Sequence, residues 1–225
     1  MVEQGVRPSN PSEAHSLALA VGRFRAANGC ESSAHLDLEG ISRFWENRAS
    51  GGRVFTLAVE VEVQVACLEA DLQILLRTQR SDHAPRLLPG AALDAQLVRF
   101  RANSNIILRY RAIWDKLLGL YVLLCEPAEY EQFLSAKSRR KKFAQLMRRN
   151  QGMGAEGLAA ICQALERFDA LYRTGEAHGT GSTRIWVSDR TNGPNSRQAG
   201  IMWAWNDLNH VLKSLAPTLL GQGAP

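Results

Sequence analysis

An arginine and a histidine stand five positions apart late in the chain, at Arg173 and His178. The guanidinium group is permanently charged and binds phosphate oxygens, whereas imidazole exchanges protons near neutral pH. Together they suit phosphodiester cleavage, because the histidine moves a proton while the arginine stabilises the negative charge of the transition state. Thr174 and Glu176 stand between them and are candidate supporting residues. In the alternative, structural interpretation, Arg173 caps the last carbonyls of a helix and His178 closes the turn.

Two further segments carry groups that bind phosphate. The stretch 179–184 follows the histidine, is rich in Gly, Ser and Thr, and ends in Arg184; its alternative is a plain flexible loop. The other segment holds seven cations within thirteen residues, and only three apolar side chains anchor it. It predicts a helix that binds an RNA backbone, or else a solvated face paired with acidic neighbours such as Glu129 and Glu131. The seven cations are Lys137, Arg139, Arg140, Lys141, Lys142, Arg148 and Arg149.

Apolar residues recur at three- and four-residue steps in nearly every segment, which predicts helices throughout. The fold class that this pattern predicts is all-α, an antiparallel bundle of long helices with an irregular loop region after the fourth bundle helix. Pro127 is expected to start a further short helix, and Pro217 to stop the last one. The predicted bundle helices cover 54–78, 91–124, 138–150, 155–177 and 201–215.

The chain divides into three parts by this pattern. Residues 1–53 form an N-terminal extension with two short helices, 54–216 form the bundle, and 217–225 form a flexible tail. Ser12 is expected to cap the first short helix, which turns Leu17, Val21 and Phe24 inward. The second short helix is expected to contain Ile41, Phe44 and Trp45.

Composition narrows the class of protein. The net charge of +5 permits nucleic acid as a partner without requiring it. No apolar stretch is long enough to span a bilayer and no secretory leader is evident, so we expect a cytoplasmic protein that does not associate with membranes. The four cysteines form no C-x-x-C pair and have no histidines at metal-ligand spacing, so they are expected to be buried free thiols. We expect neither a metal nor a cofactor.

An arginine, a short spacer and a histidine, placed late in an all-α bundle, resemble the signature of the HEPN superfamily (higher eukaryotes and prokaryotes nucleotide-binding domains). The resemblance extends over the bundle from about Val54 to Ala216, and its specific part is the six residues from Arg173 to His178. Many members of this superfamily are metal-independent ribonucleases that act as toxins or defence proteins. Thr174 departs from the Asn, Asp or His that is common after the arginine.

The resemblance implies that RNA is cleaved by acid–base transesterification. His178 would deprotonate the ribose 2′-hydroxyl or protonate the leaving 5′-oxygen, and Arg173 would stabilise the phosphorane-like transition state. It further implies a homodimer that joins two copies of the motif in a composite active site, and an antitoxin or defence-system partner. Two alternatives remain open: a HEPN-like module that binds nucleotide or RNA without cutting it, and a helical interaction or regulatory protein.

Overall fold

The computed structural model describes residues 11–30, 35–81, 89–149, 155–168 and 195–222. All regular secondary structure within these ranges is helical, which confirms the predicted all-α bundle. The elements are α1 (Pro11–Asn28), α2 (Leu38–Trp45), α3 (Gly51–Ser81), α4 (Pro89–Cys125), a 3-10 turn (Pro127–Glu129), α5 (Tyr130–Ser135), α6 (Arg139–Arg149), α7 (Ala155–Phe168) and α8 (Asn195–Leu219).

Helices α3 and α4 form the long antiparallel pair on which the other helices pack. The antiparallel direction of the pair is visible in its polar contacts. Lys116 of α4 contacts Glu60 of α3, whereas Arg109, earlier in α4, contacts Asp71, which lies about three turns further along α3. The predicted ends of α3, α4 and α6 lie within three residues of the observed ones. The predicted continuation of α7 to residue 177 falls outside the described residues.

The core is a single cluster of apolar side chains from every layer of the bundle. Its largest fully buried members are Trp114, Tyr110, Phe133 and Phe143, which come from α4, α5 and α6. Each large apolar side chain removed from water contributes about 1.5–3 kcal/mol, so this shared cluster holds the helices in one arrangement.

The N-terminal helices α1 and α2 pack on α3 and contribute Ala14, Leu38 and Ile41 to the same core. Two expectations for α1 are wrong. The helix begins at Pro11, so Ser12 lies inside it rather than capping it. Proline suits the first turn of a helix, because an N–H group there has no carbonyl partner within the helix. Phe24 is exposed, because the neighbouring Arg25 takes the inward position to meet carboxylates on α3.

Helix α8 is longer than predicted at both ends. It begins at Asn195 instead of residue 201, and it continues past Pro217 to Leu219, so the first residues of the predicted flexible tail are helical. Leu219 is fully buried, and its carbonyl accepts a hydrogen bond from Trp45 Nε1 at 2.9 Å. These contacts offset the N–H that proline lacks, and the helix ends in the following turn.

Gly221 terminates α8 in the left-handed conformation, with φ of 73°. The N–H of Gly221 donates to the carbonyl of Thr218, and the N–H of Gln222 donates to that of Pro217 at 2.8 Å. This pair of bonds is the Schellman arrangement, which satisfies the last carbonyls of a helix. None of the described helices combines the length and the apolar character that a bilayer crossing needs.

Candidate nucleic-acid interface

The predicted site falls into two parts. Arg173, Thr174, Glu176, His178 and Arg184 lie outside the described residues. All seven predicted cations of 137–149 are described, and all of them except Lys137 belong to α6. The described site is therefore a basic helix and the helices that hold it.

Helix α6 is anchored by one face. Ser138 precedes it. The Ser138 hydroxyl accepts a hydrogen bond from the N–H of Lys141, and its carbonyl accepts the first bond of the helix, from the N–H of Lys142. Phe143, Leu146 and Met147 are buried, and the Phe143 ring meets that of Tyr121 on α4 edge-on, with centroids 6.2 Å apart. Because residues three and four apart share a face, these three side chains lie together on the core side, and Lys141 and Arg148 lie on the opposite, exposed side.

The solvent face of α6 follows from the same periodicity. Lys141 and Arg148 are seven positions apart, which places them about 20° apart around the axis and about 10.5 Å apart along it. Gln145 lies between them, Arg149 lies beside Arg148, and all four side chains are exposed. The result is a row of cations along one side of the helix, with no acidic side chain within α6.

Acidic neighbours pair only part of the basic segment. Lys142 Nζ contacts Glu129 Oε2 at 3.0 Å, and Arg140 Nη2 lies 3.8 Å from Glu166 Oε1. Glu131, expected among the neutralising residues, instead pairs with Arg53 of α3 at 2.5 Å.

The other five cations are what we call the basic face: Lys137, Arg139, Lys141, Arg148 and Arg149. Lys141, Arg148 and Arg149 form the row along α6, whereas Arg139 lies about 160° around the helix axis from Lys141 and Lys137 precedes the helix. Each is exposed, and none has an ion pair within the part of the chain that the structure describes. Exposed like charges repel one another in water. A bound polyanion would reduce this repulsion among the five cations, which have no described ion pair.

The start of α6 lies beside the end of α7. Arg140 is the second residue of α6, and its partner Glu166 stands two residues before the last residue of α7, Phe168. The Phe168 ring in turn contacts Tyr110 of α4, with ring centroids 4.0 Å apart. Phe168, Tyr110 and Trp205 of α8 together line a small apolar cavity. Helix α7 is thus fixed to the core at the end from which the chain continues towards Arg173.

Charged and aromatic groups along the middle of α4 have structural contacts. Arg111 Nη1 and Asp115 Oδ1 form an i,i+4 ion pair at 3.0 Å. Arg109 Nε contacts Asp71 Oδ2 at 3.0 Å, and Trp114 is fully buried. Arg109 thus connects α4 to α3, the Arg111–Asp115 pair lies within α4, and Trp114 fills the core; Asp115 also lines a cavity together with Arg139 of α6.

The four cysteines are free, as expected, but they are half-buried rather than buried. Burial raises the pKa of Cys125 to about 11 and also raises the pKa of Cys30 and of Cys162. These three groups are therefore neutral thiols near pH 7, which makes them poor nucleophiles. Among the described residues, no group of three or more His, Cys, Asp and Glu side chains could hold a metal ion.

The sequence analysis missed a buried charge cluster between α1 and α3. Arg25 Nη1 contacts Glu62 Oε1 at 2.5 Å, and Arg25 Nε contacts Glu69 Oε2 at 2.7 Å. The second oxygen of Glu62 accepts from the N–H of Leu36 at 2.9 Å. The available signal was the position of two glutamates seven residues apart within a largely apolar segment, which puts both on one helix face.

Comparisons with protein-family models, with curated proteins and with solved structures find no match for this chain.

Proposed function

We propose that the chain is a metal-independent endoribonuclease of the HEPN type. The observation that carries the proposal is the contact of Arg140 with Glu166, because it brings the cationic start of α6 to the end of α7. Arg173 follows Phe168 by five residues, and five residues span at most about 18 Å. An active site at Arg173 and His178 would therefore lie within reach of an RNA strand held by the basic face.

The division of labour follows from the chemistry of each group. The basic face would neutralise phosphates of the strand and position it, a contribution independent of sequence. His178 would transfer the proton at the ribose 2′-hydroxyl or at the leaving 5′-oxygen, and Arg173 would donate to the phosphate oxygens as charge accumulates. Thr174 and Glu176 would support this pair.

A single histidine cannot act on both sides of an in-line displacement, so a composite site from two chains is part of the proposal. A homodimer would supply a second Arg173–His178 pair to the same cleft. An enzyme that cuts cellular RNA must be inhibited until its activity is needed, and an antitoxin or another defence-system protein is the proposed partner.

The decisive experiment is RNA cleavage in the presence of EDTA by the wild-type protein and by His178→Ala. Transesterification leaves 2′,3′-cyclic phosphate ends, and loss of a general acid–base group costs about 10²–10⁴ in rate. The matched control is His210→Ala, which removes an exposed histidine from α8. Cleavage that persists unchanged in His178→Ala, or that is lost equally in His210→Ala, contradicts the proposed site.

The same experiment separates a second function, which the basic face alone favours. A module that binds RNA without cutting it needs the five cations of the basic face but neither Arg173 nor His178. Retention of RNA by the wild-type protein, with no cleavage product at any protein concentration, would support that module and reject the enzyme. If RNA is neither bound nor cut, both functions are rejected and a helical interaction protein remains.

The dimer has its own readout. Sedimentation velocity gives the fraction of dimer at each protein concentration, and a composite active site requires specific activity to follow that fraction. Specific activity that stays constant while the dimer dissociates would contradict the composite site, although the cleavage assay above would still test the enzyme.

A further inference from the structure

A cleft of about 600 Å³ opens between α1, α2 and the middle of α3, and it is formed by other helices than the basic face. Apolar side chains including Ala18, Val21 and Leu38 form part of its wall. Gly22 also lines it and leaves open space, since a Cβ there would meet nothing within 4 Å. The cleft is large enough for a small organic molecule.

The charged lining of the cleft is mainly negative. Asp37, Glu39 and Glu62 supply three carboxylates, against one guanidinium from Arg25 and the imidazole of His35. Glu69 is not among the lining residues, but it contacts Arg25 and so adds a fourth carboxylate beside the guanidinium group. An anion entering this cleft would meet net repulsion, whereas a cation would be attracted.

Arg25 provides a second, independent feature. Its side chain is more than nine-tenths buried, and its Nε and Nη1 atoms are bound to Glu69 and Glu62. Its Nη2 atom is also buried and has no hydrogen-bond partner within the described chain. A buried donor without a partner is costly, so a ligand oxygen that accepts from Nη2 would be stabilised.

The rim carboxylates retain unused acceptor oxygens. Asp37 caps α2 through one oxygen, which accepts from the N–H of Gly40 at 2.9 Å. One oxygen of Glu39 contacts His15 Nδ1 at 2.7 Å. The second oxygen of each carboxylate faces no described donor, and both side chains are at least partly exposed to solvent. They are therefore available to a cationic group.

We propose that this cleft binds a small molecule or peptide end that carries an ammonium group beside a neutral carbonyl. The ammonium group lies against Asp37 and Glu39, and an apolar substituent contacts Val21. The carbonyl oxygen accepts from Arg25 Nη2 after a shift of the Arg25 side chain towards the cleft, because Nη2 is fully covered in the unliganded arrangement. A neutral carbonyl fits better than a carboxylate because four carboxylates already surround the guanidinium group or line the cleft. The proposal does not depend on RNA cleavage.

Isothermal titration calorimetry with three probes tests this chemistry on the wild-type protein. L-Leucinamide carries the ammonium group, the carbonyl and an apolar side chain, and we expect it to bind. 4-Methylpentanamide lacks the ammonium group, and L-leucine replaces the neutral carbonyl with a carboxylate, so both should bind at least fivefold more weakly. Absent binding of L-leucinamide, or equal binding of all three probes, overturns the proposal. The tripeptide amide Leu-Gly-Gly-NH2 identifies the source: binding as tight as that of L-leucinamide indicates a peptide N-terminus, and weaker binding indicates a free small molecule.

Two variants locate the site. Gly22→Leu fills the open space of the cleft and should abolish binding of L-leucinamide. Asp37→Asn keeps the capping oxygen but removes the charge, and should weaken binding about twofold to fivefold. Glu13→Gln, an exposed charge removal on α1 that does not line the cleft, is the control and should leave binding unchanged. Binding that survives Gly22→Leu places the ligand elsewhere and rejects the cleft.

Discussion

The ring of Phe168 at the end of α7 lies against the ring of Tyr110 in the middle of α4, with centroids 4.0 Å apart and planes inclined by 33°. Both side chains are buried, and they join α4, the longest of the described helices, to the last described turn before Arg173. A pair of this kind fixes the end of α7 more firmly than the ion pair of Arg140 with Glu166, whose carboxylate is exposed.

Phe168→Ala should lower the free energy of unfolding by about 3–5 kcal/mol, because it leaves a cavity beside Tyr110. Denaturant titration followed by circular dichroism measures this change. The matched control is Phe24→Ala on α1, where the ring is exposed and the expected change is within about 0.5 kcal/mol. Equal effects at the two positions would contradict the anchoring role of Phe168.

Reversing charge on the basic face should weaken RNA binding. The double variant Lys141→Glu, Arg148→Glu removes two cations that have no described ion pair, so the slope of log K against log salt should fall by about 0.7 for each lost phosphate contact. Filter binding or fluorescence anisotropy across a salt series measures it.

The control for this variant changes the net charge by the same amount elsewhere. Arg23→Glu with Lys213→Glu alters exposed cations on α1 and α8. If this pair lowers affinity and slope as much as the α6 pair does, only net charge matters, and the basic face is not the interface.

Glu62 should give the stability of the protein a distinctive pH dependence. Burial raises its pKa above the usual value of 4.5, although Arg25 and the N–H of Leu36 act in the opposite direction. The folded state therefore binds the proton more tightly than the unfolded state, and the stabilisation present below about pH 4.5 is lost as the pH rises through the raised pKa.

Glu62→Gln removes this titration. The difference in unfolding free energy, wild type minus variant, should therefore decrease as the pH rises from about 4.5, as measured by denaturant titration at several pH values. Glu46→Gln, at an exposed position, is the control. A difference that is flat or that increases with pH would show that the pKa of Glu62 is not raised.

Two glycines should respond to alanine in opposite directions. Gly221 has a positive φ, and a Cβ there would lie 2.2 Å from the Phe44 ring, so Gly221→Ala should cost at least about 2 kcal/mol. Gly22 lies inside α1 with open space around it, so Gly22→Ala should stabilise the protein by about 0.5–1 kcal/mol. Thermal melts of the two variants measure the contrast, and shifts of the same sign would contradict it.

Local sequence patterns were sufficient to predict which segments are helical, but they predicted the ends of the helices less well. The all-α class follows from apolar residues at three- and four-residue steps, a property of each segment alone. Pro217 shows the limit, since its local preference predicts a stop, yet α8 continues to Leu219 where a fully buried side chain and the Trp45 hydrogen bond favour the helical turn. Ser12 fails in the same way, because a capping residue is recognised only once the start of the helix is known.

The sequence by itself determined which chemical groups the protein has: the seven cations of 137–149 and the Arg173–His178 pair. Only the tertiary structure decided how charges from distant segments are paired. It placed Lys142 beside Glu129, Glu131 beside Arg53, and Arg25 between Glu62 and Glu69. The reason is physical: the energy of a charge depends on distance and burial, and both are set by the packing of helices far apart in the chain.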